Sequence, residues 1–124
     1  AVIEGAGIKL QSDREIKLVD SNCFFKFSGD EIIFGNLISG QIKDLNFIVR
    51  KNAFNIDFKI YSSDLDVLLS SGTYLVFVIC GSVNIQGTEA EKFDTVQIEI
   101  GQNEKHRVAI LPSSNSQFVM ISIS

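Results

Sequence analysis

The feature that most constrains the fold of this 124-residue chain is an alternation of apolar and polar residues with a period of two. It runs through four segments, at residues 44–50, 54–61, 96–100 and 118–123. A period of two places every second side chain on one face of a β-strand, whereas an amphipathic helix repeats its apolar residues every three or four positions. The pattern therefore predicts strands that each bury one face.

Composition and turn signals extend the β interpretation to the rest of the chain. The sequence contains 17 Ile, 10 Val and 10 Phe, which are residue types favoured in strands. Clusters of Gly, Ser, Asp and Asn, including one at residues 20–22, separate about eleven candidate strands. This spacing is typical of an antiparallel sandwich or barrel. We predict a single all-β, antiparallel, jelly-roll domain over residues 1–124.

Some segments carry signals other than simple alternation. Residues 74–80 are apolar throughout, which predicts a strand with both faces buried. Residues 63–69 leave strand and helix open, because Ser63 or Asp64 could cap a helical turn. Small and polar residues at 70–72 and 101–103 predict chain reversals.

Charge and cysteine content argue against several function classes. The chain has 11 Lys and Arg against 15 Asp and Glu, and a net charge of −4, so we expect no nucleic-acid binding. The apolar run at 74–80 is too short for a membrane-spanning helix, so we expect no membrane partner. Cys23 and Cys80 form no CxxC motif, and we interpret both as reduced thiols in a cytoplasmic protein.

Candidate catalytic and metal-binding residues are few. The single histidine, His106, lies in a polar segment and is most simply a solvated turn residue. A metal site needs several converging ligands, and a nucleophilic site needs a base beside its Ser or Cys; neither pattern is present. We therefore expect no metal and no cofactor. Enzymatic activity is left open, with a non-catalytic role favoured.

One predicted strand carries a polar group that could recognise a ligand. The alternation places Asp44, Asn46 and Arg50 on the same face. The Arg50 guanidinium suits a carboxylate, Asn46 offers a donor and an acceptor, and Asp44 can accept or orient Arg50. If this face lines a lumen, the three side chains form a ligand site supported by Phe27 and Phe47. If it faces solvent, the segment is an ordinary amphipathic strand.

Several motifs resemble the HutD/Ves family of cupin-like proteins. Residues 25–30 resemble its aromatic-rich F-x-G-D turn. Residues 37–51 resemble a Leu-x-x-Gly segment that runs into Asp-x-Asn and a basic pair, here Arg50 and Lys51, where many members have two arginines. Residues 74–86 look like the family's apolar strand, Gly turn and next strand. Residues 93–96 resemble its Gly-Asp-Thr entry, with Phe in place of Gly.

The resemblance implies a cupin-type barrel and an association with histidine utilisation or stress responses, for which ligand sensing or regulation is the usual proposal. Metal-dependent cupins carry a His-x-His pair, a Glu and a later His, and the lone His106 departs from that pattern. Typical members are longer by an N-terminal portion, which would end near residues 2–10. We therefore expect this chain to be the C-terminal part of such a protein, pairing with another copy or with that portion through exposed strand edges.

Three hypotheses for the function follow. The first, which we favour, is a non-catalytic protein that binds a small polar metabolite, such as a carboxylate, through Asp44, Asn46 and Arg50 in a regulatory or stress-related role. The second is a metal-independent isomerase or lyase that uses a buried carboxylate such as Asp44 as its base. The third is a structural or protein-interaction domain that works through its sheet edges.

Overall fold

The computed structural model describes residues 1–20 and 23–124. Within these ranges every regular element is a β-strand, and each strand pair is antiparallel. The predicted fold class, all-β and antiparallel, is confirmed. The chain divides into two compact units, Ala1–Lys51 and Asn52–Ser124, called here the N-terminal and C-terminal units. The turn predicted at 20–22 lies partly outside the described residues.

The N-terminal unit is built from strands of two to four residues. They are β1 (Val2–Glu4), β2 (Ile8–Gln11), β3 (Ile16–Val19), β4 (Phe34–Leu37) and β5 (Lys43–Asp44). A three-stranded sheet has the order β3-β2-β4, and β1 pairs separately with β5. The apolar positions of the central strand, Ile8 and Leu10, lie on the same face because they are two residues apart.

The strand predicted at 44–50 is much shorter in the structure. The ladder between β1 and β5 joins Val2 to Asp44, and backbone hydrogen bonds between Ala1 and Leu45 extend it by one pair. Beyond Leu45 no strand continues through residue 50. Alternation shows which faces a strand would present, but β1 has only three residues to offer as a partner.

The C-terminal unit is a single six-stranded sheet with the order β6-β11-β7-β10-β8-β9. Its strands are β6 (Ile56–Tyr61), β7 (Leu65–Cys80), β8 (Ser82–Ile85), β9 (Thr88–Glu91), β10 (Thr95–Pro112) and β11 (Gln117–Ile123). Two of them are long, with 16 residues in β7 and 18 in β10. Residues 65–69, for which a helical turn was the alternative, belong to β7.

The reversals predicted at 70–72 and 101–103 are a bulge inside the paired strands β7 and β10. Ile100 lies opposite Gly72 and Lys105 lies opposite Ser70, so the four residues 101–104 face one residue of β7. Gly72 has a φ of +149°, a conformation that glycine adopts without strain. On β7 the core-facing positions change here from odd-numbered to even-numbered residues. Turn-forming residues thus bend this ribbon without reversing it.

The hydrophobic core of the C-terminal unit gathers side chains from five strands, β7 to β11. Its fully buried members include Val76, Val78, Ile110 and Phe118. The Phe118 ring stacks on Tyr61 of β6 at a centroid distance of 5.3 Å. Strand β11 is buried on both faces, since its consecutive residues 118–121 are all buried.

A tight turn joins β7 to β8 against a buried hydroxyl. Ser116 is 2% exposed, and its Oγ accepts a hydrogen bond from the Ser82 backbone N–H at 3.0 Å. The Oγ atoms of Ser113 and Ser116 are 2.6 Å apart. Gly81 has a φ of +72°, and a Cβ at this position would overlap the Ser116 side chain. Glycine is therefore required at Gly81 by both its backbone conformation and the space available.

Candidate functional site

The N-terminal unit contains a partly open cavity of about 250 Å³. Most of its wall is apolar, and two side chains add polar groups. The lining residues are Ala1, Val2, Ile8, Leu10, Val19, Phe25, Phe27, Ile42, Asp44 and Asn46. Ligand sites are typically concave, mainly apolar and furnished with a few polar groups that fix orientation. This cavity has that character and a size suited to a small metabolite.

Two pairs of neighbouring strands place the lining residues. Ile8 of β2 lies opposite Val19 of β3, so both side chains project from the same face of the three-stranded sheet. Val2 of β1 lies opposite Asp44 of β5. The apolar wall is therefore built by strand register, and the carboxylate stands where β5 ends.

The polar end of the cavity is a hydrogen-bonded pair. Asn46 Nδ2 donates to Asp44 Oδ2 at 2.7 Å. Both residues are largely exposed, which places them at the open side of the lining. This bond leaves Asn46 Oδ1 and the second Asp44 oxygen as hydrogen-bond acceptors and the second N–H of Asn46 as a donor.

The structure brings together two of the three predicted ligand-binding residues. Asp44 and Asn46 share the cavity, whereas Arg50 is exposed and is not among the described lining residues. The period-two rule does not apply to Arg50, because the strand ends at Asp44 and irregular backbone follows. Of the two predicted supporting aromatic residues, Phe27 lines the cavity and Phe47 does not. Ligand binding by these side chains stays a prediction.

Two phenylalanines, Phe25 and Phe27, form an aromatic wall of the cavity, and the sequence analysis predicted a role only for Phe27. Phe25 and Phe27 stack at a centroid distance of 5.7 Å, and both line the cavity. Their spacing of two residues was a signal that they could share a surface. Lys17 Nζ lies 5.4 Å from the centre of the Phe25 ring. This cation–π contact ties β3 to the aromatic pair.

Other reactive groups are not among the described lining residues. His106 Nε2 and Glu104 Oε2 are 3.2 Å apart on the surface of the C-terminal unit. The half-buried Cys80 thiol donates to the Asn115 carbonyl at 3.5 Å. Cys23 is exposed, and a hydrogen bond with Asp20 raises the pKa of its thiol. Across residues 1–20 and 23–124, no three His, Cys, Asp or Glu side chains converge as metal ligands would.

These features define an all-β, antiparallel protein with one small cavity described in its N-terminal unit. The protein-family model of HutD matches residues 1–117, and the chain belongs to the HutD family. The family resemblance inferred from the sequence motifs is thereby confirmed. A comparison with curated proteins finds no match.

Solved structures support the same fold. HutD from Pseudomonas fluorescens SBW25, solved in a formate condition, is similar with a TM-score of 0.88 and 23% identity. The match covers 100% of this chain and 65% of that one. The conserved protein of unknown function PA5104 from Pseudomonas aeruginosa PAO1 is similar with a TM-score of 0.86 and 20% identity, covering 100% of this chain and 68% of that one. This chain thus spans about two thirds of each.

Residues 1–20 and 23–124 contain no helix that is long and apolar enough to cross a bilayer.

Proposed function

We propose that this chain is a non-catalytic ligand-binding module of the HutD family, and that it binds a small polar metabolite in a regulatory role. The observation that carries the proposal is the cavity of about 250 Å³ with the Asp44–Asn46 pair at its polar end. Apolar walls bury the body of a ligand, while a few fixed polar groups select its orientation. The cavity combines both elements.

The placement of Asp44 supports binding over catalysis. The hypothesis of an isomerase or lyase requires a buried carboxylate as base, and Asp44 is largely exposed. Its carboxylate accepts a hydrogen bond from Asn46, which suits a fixed recognition group. Arg50, on which the expected carboxylate ligand depends, lies outside the described lining. The proposal therefore rests on hydrogen bonding by Asp44 and Asn46, and it does not specify the charge of the ligand.

A thermal-shift experiment tests the proposal on the full chain. The panel contains formate, because a similar HutD was solved in a formate condition, together with 2-phenylethylamine, 2-phenylethanol and 3-phenylpropionate. We expect at least one compound to raise the melting temperature, because a ligand that binds only the native state stabilises it.

The matched variants are Asn46→Ala in the lining and Asn36→Ala on β4 outside it. We expect Asn46→Ala to weaken binding about fivefold, in line with the loss of one hydrogen bond of about 1 kcal/mol. Asn36→Ala should bind as the wild type does. A shift that is the same in wild type and Asn46→Ala, or no shift with any of the four compounds, would contradict the proposal.

A further inference from the structure

Resting on the binding function just proposed, we infer that the cavity takes an organic cation: a small molecule with an apolar body and an ammonium or imidazolium end. The juxtaposition behind this inference is a carboxylate, two free acceptor oxygens and a pair of phenylalanine rings in one lining. Each of these three elements attracts positive charge or hydrogen-bond donors.

The charge of the lining favours a cation. Among its described side chains Asp44 is the ionisable one, and none is Lys or Arg. A carboxylate ligand would bring a second negative charge to Asp44, whereas an ammonium would pair with it. The Ala1 nitrogen also borders the cavity, but it donates to the Leu45 carbonyl at 2.8 Å. Burial lowers the pKa of this amino group more than the charge of Asp44 raises it, so the group is a weakened competitor for that carboxylate.

Hydrogen bonding points the same way. The bond to Asp44 Oδ2 uses one of the two N–H groups of the Asn46 amide, which leaves one donor and the acceptor Oδ1. The second Asp44 oxygen is an acceptor as well. An ammonium or imidazolium supplies N–H donors to both atoms, whereas a carboxylate has none to give. A ligand without donors would leave these acceptors to water.

The aromatic wall adds a third attraction. Stacked phenylalanine rings present faces of negative potential, and cations favour positions over such faces. Lys17 Nζ already lies 5.4 Å from the centre of the Phe25 ring and disfavours a second cation there, so Phe27 is the ring available to the positive end of a ligand. Phe27 belongs to the same stacked pair and is half exposed. The rings can therefore contact both the apolar body and the positive end of a ligand.

Isothermal titration calorimetry with three ligands of similar body tests this inference. At neutral pH 2-phenylethylamine is a cation, 2-phenylethanol is neutral and 3-phenylpropionate is an anion. We expect the amine to bind about tenfold more tightly than the anion, the size of one charge-assisted hydrogen bond. The alcohol should lie between them.

Two matched variants distinguish the effect of the Asp44 carboxylate from the effect of the net charge of the protein. Asp44→Asn keeps the shape of the side chain but removes its charge, and it should abolish most of the preference for the amine. Asp13→Asn removes an equal charge from an exposed residue outside the lining, and it should leave the preference intact.

The outcomes distinguish this inference from the proposed function. Tighter binding of 3-phenylpropionate than of the amine overturns the cation inference and leaves the binding function standing. A preference for the amine that survives in Asp44→Asn also overturns it. Absence of binding by all four compounds overturns the binding function itself.

Discussion

The two units of this chain achieve order in different ways. In the C-terminal unit, strands of 16 and 18 residues pair along their length and bury a continuous core. In the N-terminal unit the strands have two to four residues, and large apolar side chains remain exposed, among them Leu18 at 64% and Phe34 at 65%. The buried hydrophobic residues described there are Val2 and Val19.

This difference shows that packing and candidate function lie in separate parts of the chain. Dense cores resist deformation because nearly every side chain is fixed by its neighbours. Regions with few buried contacts open more readily, and ligand-binding segments are commonly of this kind. The cavity belongs to the sparsely packed N-terminal unit. We therefore expect substitutions to affect stability most strongly in the C-terminal unit and ligand binding in the N-terminal unit.

The largest expected effect comes from Phe118→Ala. Phe118 is fully buried and stacks on Tyr61, so its loss leaves a cavity and should cost about 3–5 kcal/mol of unfolding free energy. The matched variant in the other unit is Phe34→Ala, which removes the same ring from an exposed site and should cost about 0.5 kcal/mol. Hydrogen exchange of the β7 and β4 amides, with urea unfolding, measures both. Equal costs would remove the distinction between the units.

A smaller effect is expected at the turn between β7 and β8. Gly81→Ala must adopt a positive φ and also displace the buried Ser116 side chain, at a cost of about 3 kcal/mol. Gly87→Ala is the matched control, because its φ is +85° and its Cβ would meet nothing within 4 Å. Backbone strain alone should cost about 1 kcal/mol there. Thermal unfolding of both variants isolates the steric contribution, and similar costs would show that Ser116 imposes no constraint.

The smallest effects concern one exposed ion pair in each unit. Arg107 donates two hydrogen bonds to Asp66, at 2.8 and 2.9 Å, and these lower the pKa of the Asp66 carboxyl. Lys51 donates one to Asp30, at 2.6 Å, and lowers the pKa of that carboxyl. A depressed carboxyl pKa stabilises the fold above the ordinary Asp value of roughly 3.9. This contribution is lost as the pH falls through the lowered pKa.

Carboxyl titrations followed by NMR check these ion pairs. Arg107→Gln should raise the pKa of Asp66 and leave that of Asp30 unchanged, while Lys51→Gln should do the reverse. Salt should weaken the single Lys51 contact more than the two-pronged Arg107 contact, whose geometry is more specific. If Asp66 titrates identically in wild type and Arg107→Gln, the pair has no influence in solution.

Period two identified four strand segments but not the lengths of the strands that contain them. It located β6 and β11, and the apolar run at 74–80 forms the end of β7. It did not join the segments on either side of residues 70–72 and 101–103, because turn-forming residues can also make a bulge. Which one forms depends on the partner strand, and a local sequence does not contain that information. The bulge here is flanked by two pairs that are distant in the chain, Gly72 with Ile100 and Ser70 with Lys105.

The candidate site was predictable to a similar degree. Asp44 and Asn46 were found through their spacing, and both line the cavity. Arg50 was assigned to the same face by extending the alternation beyond the end of the strand. Val2, Val19 and Ile42 carry no sequence signal for the cavity, since apolar residues are common throughout the chain. Val2 and Val19 belong to different sheets and Ile42 belongs to no strand, so tertiary packing brings the three together.

The bulge between β7 and β10 also determines where the chain can change in length. One added residue between 106 and 110 would shift the alternation and turn Val108 and Ile110 away from the core. The loop-like stretch 101–104 already contains residues that have no partner directly opposite in β7. A residue added there would leave the register of the β7–β10 pairing unchanged on both sides of the bulge. The ribbon thus contains a spacer, at which length can vary while the core stays the same.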